Sequence, residues 1–366
     1  MDYLWAIMTV TINNPNAVNI FNWMFKRKDD FDQIVFLFIS QTNATNARYL
    51  PLFNETCNVR IVYLRGLRVR YTDRIVSRIF TRLLNFFSFR INQYKVIHIF
   101  NLRIDFSSGT QVLHIDDPTY QAAEIDQILK WERRLISESK IPIIICTNTT
   151  TYSWLLDQSV LSKILTIEQG FHRQNPVQKL PVKNFSCVYS SPYIHFGNDK
   201  LANHSTYGAN LLIGSIIPEL TRIDPEIEIV LVGKLGKNAK MFLNRFPNVK
   251  IFGRVGFERN MEILSTCSVG IYPRTFDHKR SMLKIFTYIG AGLPIVTFDL
   301  IDTKVVKDYS LGFSVSSPEE FISRILELKN SNLLLSIFKE RVNSFGIEYS
   351  WDKLAKKMEI LIKQSY

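Results

Sequence analysis

With 366 residues the chain can bury two cores, and 46% hydrophobic against 21% charged residues excludes a disordered or fibrous protein. Its 45 Lys and Arg against 33 Asp and Glu leave a net charge of +12, which asks for an anionic partner: nucleotide, nucleic acid or phospholipid surface. Cys57, Cys146, Cys187 and Cys267 lie far apart, three of them in or beside apolar runs. Buried free thiols in a reducing compartment fit this better than a disulfide framework or a zinc site.

In the first half, residues 3–10, 34–39 (IVFLFI), 59–64, 96–100, 112–115 and 141–146 read as strands. Residues 3–10 are too short for a secretory leader, and Asp2 stands where a positive start is expected. Helical stretches separate most of the strands, notably residues 122–139 with Ile125, Ile128, Leu129, Leu135 and Ile136 as apolar positions. Such alternation predicts a parallel sheet covered by helices on both faces. No segment reaches the ~18–20 uninterrupted apolar residues of a membrane span. The expected location is the cytoplasm, with peripheral attachment to the cytosolic face of a membrane.

That attachment is read from residues 72–89, TDRIVSRIFTRLLNFFSF. Arg74, Arg78 and Arg82 form a stripe at i, i+4 and i+8 beside an apolar face that ends in Phe86 and Phe87. An aromatic face with an arginine stripe is how an interfacial helix meets anionic lipid, each basic residue adding about 1 kcal/mol near the surface. The bland alternative is a core-packed helix with solvated arginines. Nucleic acid is excluded as the partner, since no helix-turn-helix, zinc-finger or RNP-like signature occurs.

Asp116 and Asp117 follow the strand at 112–115 in LHIDDPTY. One could accept a proton from an attacking hydroxyl or bind an acceptor; equally, they could cap a helix that starts at Pro118. No third oxygen ligand accompanies them, so no metal is expected. His98, in VIHIF, reads as a core-edge histidine, and Glu168 and His172 fall near the joint between the halves.

Residues 175–184 (NPVQKLPVKN), with Pro176 and Pro181 and no periodicity, read as a linker, dividing the chain into domains at 1–175 and 182–345. Two open α/β sheets joined this way are expected to turn their strand ends toward an interdomain cleft. The second half predicts strands at 187–190, 227–232 (ending at Gly233), 249–252 (ending at Gly253), 269–272 and 295–298. Residues 281–291 read as a helix closed by Gly292 and Pro294. Ser281 is a suitable N-cap, and a helix start beside Arg280 and Lys284 is an anion site that a diphosphate would fit. Residues 351–364 predict a last helix with Trp351, Leu354, Met358 and Leu361 on one face and Ser350 as its cap.

SMLKIFTYIGAGLPIVTFD resembles the donor-site signature of retaining, nucleotide-sugar-dependent glycosyltransferases with two Rossmann-like domains, the GT-B type of group 1 (family 4-like). IEIVLVGKLGK, NVKIFGRVGFERNMEILSTCSVGIYP, IEQGFH and EYSWDKLAKKMEIL are similar to further family segments in the same order. The resemblance implies a metal-independent, hexosyltransferase-type enzyme without a cofactor, whose C-terminal helix (350–364) returns to the first domain. Carried over by position, Lys284 contacts the donor diphosphate or ribose, and Ser281 and Arg280 sit at the helix start. Gly233 and Lys234 approach the phosphates from the opposite loop, and backbone around Arg254 and Val255 holds the base. At two positions the sequence departs from the family. Thr287 replaces the usual glutamate on the donor ribose, and Lys279 replaces the other glutamate. The sugar pocket then falls to Asp277 and His278, the latter a candidate catalytic residue. A glycan or lipid-linked acceptor follows from the arginine–phenylalanine helix. A same-fold nucleotide-sugar epimerase, or a sugar-binding scaffold without turnover, are the alternatives.

Overall fold

A computed structural model describes residues 2–8, 33–40, 59–65, 96–100, 110–115, 143–146, 152, 155, 156, 163–166, 184–197, 208–276 and 283–350, and residues 353, 354, 356, 357, 360 and 364 near the C-terminus. The chain forms two compact units, Met1–Gly170 with Trp351–Tyr366, and Phe171–Ser350. The predicted helices at 72–89 and 122–139 lie outside the described residues.

The first unit is built on a seven-stranded sheet: β1 (Asp2–Met8), β2 (Gln33–Ser40), β3 (Val59–Arg65), β4 (Val96–Phe100), β5 (Thr110–Ile115), β6 (Ile143–Cys146) and β7 (Lys163–Thr166). Every pair is parallel and the order is β3-β2-β1-β4-β5-β6-β7. The first six strands are those expected from the apolar runs, with ends shifted by one or two residues; β7, four residues beginning with a lysine, was not legible as a strand.

The second unit repeats the scheme. Its strands are β8 (Ser186–Ile194), β9 (Glu228–Leu235), β10 (Val249–Gly253), β11 (Val269–Tyr272), β12 (Ile295–Phe298) and β13 (Gly312–Val315). They form an all-parallel sheet in the order β10-β9-β8-β11-β12-β13. The central strands β11 and β12 are buried at every position, whereas the edge strand β10 is exposed at Lys250, Ile251 and Phe252. That contrast explains why uninterrupted apolar runs marked the central strands so clearly: a parallel sheet has no wet face. Cys146, Cys187 and Cys267 are buried and form no disulfide, and burial pushes the Cys267 thiol up to about 11 and that of Cys187 higher, so the last two stay protonated.

Between β8 and β9 runs a helical stretch (Ala209–Leu211, a π-helical turn Leu212–Ile216, and Ile217–Ile223). The remaining helices of this unit, numbered here, are α1 (Lys237–Leu243), α2 (Phe257–Ser265), α3 (Leu283–Gly290), α4 (Lys304–Asp308), α5 (Pro318–Asn330) and α6 (Asn332–Glu348). The start of α5 is capped: Ser317 accepts a hydrogen bond from the Glu320 amide at 3.1 Å, with Pro318 in the first turn and two glutamates at the positive end of the helix.

α3 is held against the sheet by Ile285, Tyr288 and Ile289, all buried. Tyr288 lies flat over Gly270 of β11, where a Cβ would come within 2.7 Å of the ring. Its hydroxyl accepts from the Ser190 amide at 3.0 Å and donates to the Ile271 carbonyl at 3.2 Å, tying α3 to β8 and β11 together. Burial holds this phenol well above its ordinary range, so it stays protonated and can make both bonds. Tyr288→Phe keeps the ring but strands a backbone donor and an acceptor. The expected cost is about 1–3 kcal/mol, read as a fall of roughly 2–10 °C in the first thermal transition. An unchanged transition would mean that the hydroxyl does not bind the strands.

Candidate functional site

In the second sheet β8, the first strand, has β9 on one side and β11 on the other, so the direction in which strands are added reverses between β8 and β11. In open α/β sheets such a reversal, at the strands' carboxyl ends, is where ligands are taken. The carboxyl end of β8 is irregular. Its register against β9 shifts between Ser190 and Tyr193, where one extra residue bulges. Gly233 on β9 makes the bulge possible: its φ is +149°, and a side chain there would collide with the Ser191 carbonyl oxygen.

The bulge turns Ser191 toward α3. Lys284, in the first turn of α3, donates from Nζ to Ser191 Oγ at 3.0 Å, and Ser191 Oγ donates onward to the Tyr193 carbonyl at 3.0 Å. The same ammonium sits over two aromatic rings, 5.4 Å from the Tyr189 centroid on β8 and 5.6 Å from that of Tyr272 on β11. Lys284 thus spans the point of reversal. Burial, and secondly the charge of Arg274, push its pKa down to about 7. Arg274 follows the end of β11 and is itself fully buried, its guanidinium donating to the Tyr272 hydroxyl at 3.4 Å and lying 5.1 Å from the Phe276 ring.

The other expected donor residues form a second group on the far side of the bulge. Lys234, exposed, pairs in register with Tyr193. Exposed Arg254, just past the end of β10, places its guanidinium 5.8 Å from the Tyr193 ring, which also stacks on His195 at 6.0 Å. Val255 is half-buried against the core, and Gly256 begins α2 in extended conformation. From α2, Asn260 accepts from Ser190 Oγ at 2.9 Å. Thr287 is half-buried, one turn beyond Lys284 on α3.

The structure therefore brings Gly233 and Lys284 together around Ser191, and Lys234 and Arg254 together around Tyr193. Arg280, Ser281, Asp277, His278 and Lys279 lie outside the described residues, as do Asp116, Asp117, Glu168, His172 and the Arg74, Arg78, Arg82, Phe86 and Phe87 set. Among the residues of this arrangement that escaped the sequence reading are Tyr189, Ser191, Tyr193, Tyr272 and Arg274. Arg274 stood in a run of basic loop residues, and nothing in the sequence distinguishes a buried arginine from its solvated neighbours. Among the described residues, no helix is long and apolar enough to cross a membrane.

Residues 200–331, which contain Gly233, Lys234, Arg254, Val255, Lys284 and Thr287, match the family model of the glycosyl transferases group 1. No curated protein matches the chain in sequence. Its fold is similar to that of Anabaena Alr3699/HepE in complex with UDP-glucose, at 12% identity over 100% of both chains with a TM-score of 0.70. The pneumococcal O-GlcNAc transferase GtfA in complex with UDP and GlcNAc is similar at 11% identity, 99% of both chains and a TM-score of 0.65. So is the N-terminal domain of Candida albicans trehalose-6-phosphate phosphatase, at 10% identity over 99% of this chain and 97% of that one, TM-score 0.65. At such identities the structures speak for the fold alone, and fold does not fix chemistry. The chain has the α/β fold of GT-B glycosyltransferases, and its residues 200–331 are similar to the glycosyl transferases group 1.

Proposed function

We propose that this protein is a glycosyltransferase that moves a sugar from a nucleotide-sugar to a hydroxyl acceptor, with retention at the anomeric carbon and without a metal. The observation that carries the reading is Lys284: a lysine held at 3.0 Å from Ser191 across the reversal of the strand order, inside the segment that matches the family. The chemical demand of the reaction is charge. As the glycosidic bond to phosphate breaks, negative charge collects on the departing nucleoside diphosphate, and a fixed cation in a water-poor site stabilises it. Lys284 supplies that cation, Gly233 admits the β8 bulge that turns Ser191 toward it, and Arg254 and Val255 border the base. Solved proteins of this fold bind UDP or UDP-glucose, so a uridine donor is the first to test.

Arg280, Ser281 and His278 complete the donor side in this reading, and Asp116 or Asp117 takes the acceptor's proton. The acceptor is a glycan or lipid-linked molecule presented at an anionic membrane surface, with Arg74, Arg78, Arg82, Phe86 and Phe87 as the contact. The chain works in the cytoplasm.

A thermal-shift screen against UDP, GDP, ADP and their sugars tests the donor. A ligand at 100 times its Kd adds about 2.7 kcal/mol, so one nucleotide is expected to raise the first transition by several degrees in wild type. No rise with any of them sinks the reading. Binding without hydrolysis or transfer would instead favour a scaffold, to which Thr287 in place of a glutamate lends some support. Turnover without an added acceptor would favour an epimerase.

A further inference from the structure

We propose that the second unit carries its own contact for an anionic phospholipid surface, made by the outer side of α1 and the adjoining edge strand β10. This contact goes beyond the transferase reading, does not depend on it, and is separate from the one read at residues 74–87.

Charge picks out the surface. Between Glu228 and Glu258 the sequence holds six Lys and Arg residues and not one Asp or Glu. Lys250 is matched by Glu228 on the neighbouring strand. Lys234, Lys237, Lys240, Arg245 and Arg254 are all exposed, and among the described residues no carboxylate pairs with any of them. Elsewhere in the unit, exposed cations such as Arg222, Arg259 and Lys307 are matched by Glu219, Glu262 and Asp299. Uncompensated positive charge gathered in one stretch attracts a polyanion.

α1 arranges these groups. Ala239 and Leu243 are buried and hold the helix to the core. Lys237, Lys240, Met241 and Asn244, at i, i+3, i+4 and i+7, then fall on the outer side, and all four are exposed. Arg245 follows the helix and lies 4.9 Å from the Phe242 ring, which packs on Phe196 and Phe246. Before the helix, Lys234 and Arg254 meet at Tyr193.

The apolar side chains on this surface decide which polyanion fits. Met241, flanked by Lys237 and Lys240, is 63% exposed. Ile251 and Phe252 of β10 are exposed as well. They point to opposite faces of the sheet, and α1 joins β9 to β10, so one of them lies on the side of α1. Apolar groups among unmatched cations suit the boundary between headgroups and acyl chains, where lysine and arginine stems lie along apolar surface while their charges reach the phosphates. RNA or a free polyphosphate would take the charge but leave Met241 and Ile251 in water.

The full chain is floated with phosphatidylcholine vesicles, with and without phosphatidylglycerol. Wild type is compared with protein carrying Arg74→Gln, Arg78→Gln and Arg82→Gln, so that the two contacts are read apart. In both backgrounds the triple variant Lys237→Gln, Lys240→Gln and Arg245→Gln is expected to lower the partition onto anionic vesicles about a hundredfold, about fivefold for each charge. Met241→Gln should lower it by up to about tenfold. Lys237→Arg with Lys240→Arg should match its parent, and vesicles without phosphatidylglycerol should retain little of any of them. The three side chains are exposed, so the melting temperature of the triple variant should stay within about 2 °C of its parent; if it does not, Lys240→Gln alone replaces it, with a loss of about fivefold. Equal partition of the triple variant and its parent overturns the inference. So does the loss of all flotation once Arg74, Arg78 and Arg82 are neutralised, which leaves only the first-half contact. Absence of flotation in wild type rejects both contacts. A single-stranded RNA retained by the parent and lost by the triple variant, with vesicle partition unchanged, overturns the inference and assigns the surface to nucleic acid.

Discussion

Lys284→Met is expected to lower turnover of the nucleotide-sugar by about 10²–10³-fold, some 3–4 kcal/mol, while leaving the melting temperature equal to or above that of wild type. Both halves follow from the same surroundings. The ammonium sits over Tyr189 and Tyr272 and donates to Ser191, and burial, with Arg274 second, has already pushed it down to about 7. A cation in that position costs stability in the unliganded protein, and an isosteric thioether removes the cost while keeping the packing of the stem. The lost activity is that of a fixed charge opposite a developing one. The measurement is steady-state transfer beside a thermal melt. Activity within about threefold of wild type would dismiss Lys284 as the phosphate ligand, whereas a lower melting temperature would show that its role is structural. A functional group held at a cost in stability is the expected signature of a binding site.

How far the sequence could be read follows from what each element owes to its neighbours. β11, β12 and β4 were placed to the residue, because a central parallel strand is mostly apolar and is followed by a Gly, Pro or polar residue. β7 and β13, four residues each, carry too few apolar positions to stand out, and they become strands only because a paired neighbour completes their hydrogen bonds. The site divides likewise. Lys284 could be singled out because the spacing of lysine, helix and Gly-x-Pro is local, and Gly233 because it ends an apolar strand run. Ser191 was not, since its role arises from a bulge in β8 that Gly233, 42 residues away along the chain, permits. Arg274 needed the packing of Tyr272 and Phe276 to be seen as buried.

Gly233→Ala is expected to be strongly destabilising for the second unit. With φ at +149° the backbone is in a region that side chains rarely adopt, and the added methyl group would meet the Ser191 carbonyl oxygen and come within 3.3 Å of Ile194 Cγ1. Neither obstacle can rotate away, since one is backbone and the other is buried in the core. Relief requires β8 to give up its bulge, at a cost of about 3–5 kcal/mol. For a unit of this size the first thermal transition should fall by roughly 6–20 °C. Gly256→Ser serves as the control: nothing lies within 4 Å of a Cβ there, and the residue caps α2 in extended conformation, so a serine should be neutral or slightly stabilising. If the two variants melt within about 2 °C of each other, the bulge is not set by Gly233. The same substitution carries a functional consequence that separates it from ordinary destabilisation. Flattening the bulge withdraws Ser191 Oγ from Lys284, so folded Gly233→Ala at low temperature should also bind UDP less well, whereas Tyr288→Phe, which loosens α3 without moving Ser191, should retain its UDP affinity once folded.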